Sequence, residues 1–155
     1  MALILHLQPV DFLKISLPVG AWILLRLITS FCGVFGFSIM FNSPVRLAAT
    51  AAGIGAIANT LRLEMVDMTA IPPAGAAFVG ALTAGILASL IKSKVGYPRI
   101  SLTVPSIVIM VPGMYLYRGF YNLGIMSLGP AASWFASAIL IIAALPLGLI
   151  FARIL

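Results

Sequence analysis

Apolar residues run without a single charge through 27–45, 47–61, 68–91, 100–117 and 119–152, and only short charged islands separate these runs. A small soluble core could not hide them, because hydrophobic residues make up 63% of the chain and charged ones only 8%. With a mean hydropathy of +1.21, the chain reads as a membrane protein. A β-barrel would alternate apolar and polar positions in segments of about ten residues and would need a far more polar lumen. The predicted fold is therefore all-α: a polytopic transmembrane helix bundle forming one integral membrane domain over 1–155, with no soluble domain.

At roughly 20 residues per crossing, five spans are expected, at about 17–41, 46–64, 70–91, 100–118 and 130–152. The second is the least apolar, since Thr50, Gly53, Gly55, Asn59 and Thr60 lower its hydropathy; a four-span layout would omit it. Ahead of them His6, Gln8, Asp11 and Lys14 alternate with apolar residues, the pattern of a helix lying at the headgroups. No basic leader or cleavage site stands out, so the first span is expected to be retained. In a five-span layout Arg46, Lys92, Lys94, Arg99 and Arg153 share one side, against Lys14, Arg62 and Arg118 on the other. The positive-inside rule then places the N-terminus outside and the 92–99 loop and C-terminus in the cytoplasm.

The chemistry of enzymes is nearly missing from these residues. There is one histidine, His6, and one cysteine, Cys32, inside an apolar run. No nucleophile elbow, phosphate loop, dinucleotide fingerprint or metal-ligand cluster occurs, so neither an enzyme nor an ATP-driven pump is expected, and no cofactor or metal. Net charge is +6, but the basic residues are scattered among the spans rather than gathered on a face, which argues against nucleic acid as a partner.

The stretch PSIVIMVPGMYLYRG, 105–119, stands out as a place for function by its backbone chemistry. Pro105 and Pro112 lack amide hydrogens, so the carbonyls of Ser101 and Val108 lose their usual helical partners, and a seven-residue separation puts both defects on one face. Loose backbone is tolerated in lipid only where protein or water satisfies it, so that face is expected to look inward. A simple kink is one outcome. A full break at Pro112-Gly113 is the other; it would start a half-helix whose free amides at Gly113, Met114 and Tyr115 can receive a carboxylate.

Other polar positions each carry a plain and a sharper reading. Arg118, among Tyr115, Tyr117, Phe120 and Tyr121, reads as an interfacial anchor or as a mouth residue for anions. Arg26, one turn from Trp22, is expected to reach the interface. Gly55, Asn59 and Arg62 form a polar stripe on the second span; Asn59 suits inter-helix hydrogen bonding, and Arg62 is expected to pair with Glu64 or Asp67. FNSPVR, 41–46, reads as a tight connector in which Asn42 or Ser43 caps the second helix and Pro44 enters its first turn; a substrate gate at the membrane surface is the sharper alternative. On the third span Ala76, Gly80, Ala84 and Ala88 recur every four residues beside a second row of Ala77, Ala81, Gly85 and Ser89. Such rows let helices approach closely, within this bundle or against another subunit.

Phe41-Asn42-x-Pro44-x-Arg46, the small-residue second span, and Pro105-x6-Pro112-Gly113 together make the chain resemble the threonine/serine exporter (ThrE) family over about residues 20–150. It looks most like the small subunit of the family's two-component form. The resemblance implies an inner-membrane secondary exporter of a small carboxylate metabolite, threonine, serine or a succinate-like dicarboxylate. It also implies a larger YjjP-like membrane subunit as partner, this chain supplying one half. Its motif residues here are Asn42, Pro44, Arg46, Pro105, Pro112 and Gly113. A non-transporting scaffold subunit, docked through the third span, is the alternative.

Overall fold

The computed structural model describes residues 18–69 and 71–154, and the expected interfacial segment at 1–16 lies outside them. Six helices follow in order: α1 (Val19–Met40), α2 (Val45–Met68), α3 (Pro73–Val95), α4 (Arg99–Val108), α5 (Gly113–Gly124) and α6 (Leu128–Ile154). Among the described residues every regular element is helical. Prolines set most of the starts: Pro18, Pro44, Pro72, Pro98 and Pro112 stand immediately before the first five helices. Their missing amide costs little there, because the first amides of a helix have no internal acceptor anyway.

The FNSPVR connector works differently from the sequence expectation. Pro44 itself occupies the cap position of α2, and no side chain caps that helix. Asn42 instead closes α1: it adopts φ 58°, a left-handed conformation that asparagine tolerates better than most residues. Its amide donates to the Ile39 carbonyl at 2.9 Å, and the Ser43 amide to the Ser38 carbonyl at 3.0 Å. The chain thus turns back within four residues, and α1 and α2 pack as a hairpin.

Burial is inverted relative to a soluble bundle. The buried positions of α1 are Ser30, Val34 and Ser38, one residue per turn, while Leu24, Ile28, Phe37 and Ile39 of the same helix are exposed. In α6 the buried residues include Ala131, Ala138 and Gly148, whereas Ile139, Leu140, Ile150 and Phe151 face outward. Large apolar side chains outside and mostly small residues inside, with exceptions such as Ile141 and Leu145, suit a bundle solvated by lipid, where helices associate by close packing rather than by hydrophobic exclusion.

Three helices, α1, α3 and α6, are each long and apolar enough to cross a membrane, and the bent pair α4–α5 makes a fourth if taken as one span. At 24 residues α2 has the length, but it is the central helix, contacting α1, α3 and α4. Its face from Leu47 to Thr60 is mostly buried. A helix walled by protein has no need of lipid-facing bulk, which accounts for its small and polar composition.

The two small-residue rows of α3 meet two different neighbours inside the chain. A Cβ at Gly80 would lie 3.3 Å from the Ala58 carbonyl of α2 and 3.2 Å from the Arg62 Cβ. On the adjacent row, a Cβ at Gly85 would come within 2.5 Å of the Ala152 Cβ of α6. Gly148 returns the contact from α6, where an added Cβ would stand 2.5 Å from the Phe78 carbonyl and 2.9 Å from the Ala81 Cβ. Ala76, Gly80, Ala84 and Ala88 are all buried between these helices.

Candidate functional site

The helix 99–124 is interrupted over residues 109–112, and its two halves meet at 41°. Pro105 does not cause the interruption. It lies inside α4, which continues for another turn beyond it to Val108. The interruption falls at Pro112, which is buried and occupies the cap position of α5.

Local turns repair part of the backbone there. The Val108 carbonyl, expected to be free, accepts from the Val111 amide at 3.2 Å, and the Ile107 carbonyl accepts from Met110 at 2.9 Å. The Gly113 amide, expected to be open, donates to the Val111 carbonyl at 2.8 Å. The first amide of α5 to find a capping acceptor is that of Leu116, bonded to Pro112 at 3.1 Å. Met114 and Tyr115 therefore supply the unengaged amides at the positive end of this half-helix.

Two neighbours hold the interruption in place. Gly55 of α2 lies so close to α4 that a Cβ there would stand 2.8 Å from the Ser106 carbonyl. The Ser106 hydroxyl reaches the Ala51 carbonyl at 2.9 Å as well as the Leu102 carbonyl of its own helix at 2.6 Å. From the other side Gly33 of α1 makes room for Ile109, whose Cδ1 would lie 2.6 Å from an added Cβ.

Beside this interruption α2 and α1 build a polar chain. The buried Asn59 donates through Nδ2 to the Ser30 hydroxyl at 2.8 Å, and its Oδ1 accepts from the Arg62 Nε at 3.0 Å. The next hydroxyl, on Thr60, is the one buried side-chain polar atom among the described residues with no hydrogen-bond partner. Arg62 is half-buried, and a point on Gly80 lies 3.2 Å from both its Cβ and the Met110 sulfur, which puts the arginine stem against the interruption. Tyr115, in the first turn of α5, packs against the core cluster that contains Met110.

The expected pairing of Arg62 with Glu64 or Asp67 is not what forms. Both carboxylates bind Arg26 of α1, Glu64 at 2.7 Å and Asp67 through the other terminal nitrogen. Arg26 also lies over the Trp22 ring, 5.8 Å from its centroid. Among the described residues this leaves Arg62 with Asn59 as its hydrogen-bond partner and no carboxylate. A guanidinium offers five donors in a planar fork that fits a carboxylate.

The other sequence candidates lie apart from this cluster. Arg118 is exposed and stacks on Trp134 of α6, 4.8 Å from the ring centroid, beside the edge-to-face pair of Tyr115 and Trp134. Arg46 and Asn42 are exposed at the far end of α2, and Gly113 is exposed just past the interruption. The structure thus joins Asn59 and Arg62, adds Ser30, and sets Met110 of the interruption beside the arginine stem. Ser30 had a legible signal, because Ser30, Val34 and Ser38 recur at helical spacing in an otherwise bulky run.

A family model described as Threonine/Serine exporter, ThrE, matches residues 26–155. Nothing among curated proteins or solved structures matches the chain.

Proposed function

Because the chain belongs to the threonine/serine exporter, ThrE, family, we propose that it is a membrane subunit of a secondary exporter of small carboxylate metabolites, with Arg62 and the start of α5 as the carboxylate-binding pair. One observation carries this reading: a half-buried arginine with no acidic partner among the described residues stands against an interrupted helix. Guanidinium and helix N-terminus both favour an anion, and they do so where the backbone is already uncoupled from a regular helix. Asn59 Oδ1, on the same face of α2 as Arg62, has a second lone pair to accept from the ammonium or hydroxyl group of threonine or serine. A dicarboxylate such as succinate would use the same arginine.

In this reading the chain crosses the membrane five times, with α4–α5 as one bent span and α2 sheltered by its neighbours. The N-terminus lies outside and the 92–99 loop in the cytoplasm of a bacterial inner membrane, following the basic residues at that end. Five crossings form half of a transporter, and a larger membrane subunit completes it. The scaffold alternative relied on the small-residue face of α3 docking a partner. That face is occupied by α2 and α6 of the same chain, so it loses its main support.

The test is efflux from liposomes loaded with labelled threonine, serine or succinate, containing this chain, its larger partner, or both. Efflux of at least one substrate from the pair alone is expected. Failure of the pair to move any of the three would overturn the substrate assignment, and full activity of this chain by itself would overturn the half-transporter assignment.

A further inference from the structure

A second polar site, separate from Arg62, lies at the end of the bundle where α3 and α6 finish and α4 begins. There a cavity of about 830 Å³ opens between the three helices. Lys92 from the last turn of α3, Arg99 from the first position of α4 and Arg153 from the last turn of α6 line it. No acidic side chain among the described residues answers these charges, because Glu64 and Asp67 are both engaged by Arg26 on the far side of the fold.

The position of Arg99 sharpens the imbalance. It is half-buried at the N-terminus of a helix, where the backbone dipole is already positive and a cation is disfavoured. Its one hydrogen bond is a long one, 3.3 Å to the Leu149 carbonyl. The small residue at Gly85 keeps space for it, since a Cβ there would lie 3.0 Å from the guanidinium nitrogen. An external anion would relieve this concentration of charge.

The rest of the lining says which kind of anion. Leu90, Ile100, Val104 and Ile150 line the same cavity with large exposed apolar side chains. A small hydrophilic anion would satisfy the cations and leave that wall unmatched, whereas an amphiphile with a phosphate head and an acyl tail matches both. We infer that this cavity binds an anionic phospholipid, its phosphate among Lys92, Arg99 and Arg153 and its acyl chain along Ile100, Val104 and Ile150. The inference needs only that the helices lie in a bilayer and is independent of the transport reading.

The full chain in non-ionic detergent is titrated with fluorescent phosphatidylglycerol, and unlabelled competitors are then added. Phosphatidylglycerol is expected to displace the probe, with phosphatidylcholine at least about tenfold weaker and inorganic phosphate without effect at millimolar concentration. Lys92→Gln and Arg153→Gln should each weaken binding about fivefold. Arg46→Gln and Lys94→Gln, at the same end but outside the cavity, should not. Both cavity variants are at exposed helix ends and leave the fold intact, so the test does not depend on the half-buried Arg99. Equal competition by phosphatidylcholine, or wild-type binding by Lys92→Gln and Arg153→Gln, overturns the inference. Displacement by inorganic phosphate also overturns it, in favour of a free-anion site.

Discussion

Replacing Gly55 with alanine would put a methyl group 2.8 Å from the Ser106 carbonyl and 2.8 Å from the Val34 Cγ2, with the Ser106 Cα at 3.2 Å. Ordinary carbon–oxygen contact begins near 3.4 Å, so α4 has to retreat from α2 by about 0.6 Å. That movement stretches the Ser106 hydroxyl bond to Ala51, now 2.9 Å, to about 3.5 Å, the edge of hydrogen bonding. Overpacking of this kind costs about 1–3 kcal/mol and the weakened bond about 1 kcal/mol more. Alanine returns about 1 kcal/mol through better helix propensity, leaving a net loss of about 1–3 kcal/mol. Gly53 provides the control two residues away on the same helix, because a Cβ there meets nothing within 4 Å. Gly53→Ala should therefore be neutral or stabilising by up to about 1 kcal/mol. Thermal unfolding of both purified variants in one detergent reads the difference. Equal melting temperatures for the two, or a Gly55→Ala protein at least as stable as wild type, would refute the claim that glycine at 55 sets the spacing between α2 and the interrupted helix.

Two further predictions concern the charged groups. Arg62→Lys keeps the charge but loses the Nε bond to Asn59 and the planar fork; with charge-assisted bonds worth about 1.5–3 kcal/mol, KM for efflux by the complete exporter should rise about tenfold or more, and an unchanged KM would remove Arg62 from the substrate path. A double-mutant cycle of Arg26→Gln and Glu64→Gln should show a coupling of about 1 kcal/mol in unfolding free energy, as suits a partly exposed pair; strict additivity would mean that the bridge contributes nothing to the α1–α2 contact.

Much of the helical layout was legible because its punctuation is local. A proline immediately before a helix is a property of consecutive residues, and five of the six helices start that way. Pro112-Gly113 was legible for the same reason as a place where the helix kinks or breaks, while the turns that follow Val108 were not. Whether the Val108 carbonyl stays free depends on the Val111 amide turning back to it, and that depends on α1 and α2 pressing on the segment through Gly33 and Gly55. The connector at 41–46 misled because Asn42 suits either the end of one helix or the start of the next, and only its left-handed backbone decides for α1.

The misassigned partner of Arg62 has a geometric reason that the sequence did contain. At 100° per residue, Asn59 and Arg62 lie within about 60° of each other around α2, and Glu64 and Asp67, also three apart, share a face in the same way. Arg62 and Glu64 are separated by about 160°, so a helical bond between them was disfavoured from the start. Two adjacent polar pairs thus point in different directions. The acidic pair turns to α1 and is bound by Arg26, which ties the first hairpin together at its open end. The Asn59–Arg62 pair has its arginine beside Gly80 and the interruption. Had Glu64 been one or two residues later, three or four from Arg62, it would have shared that face and competed for the guanidinium. The spacing of α2 therefore separates an acidic pair that Arg26 ties to α1 from an arginine with no carboxylate partner among the described residues.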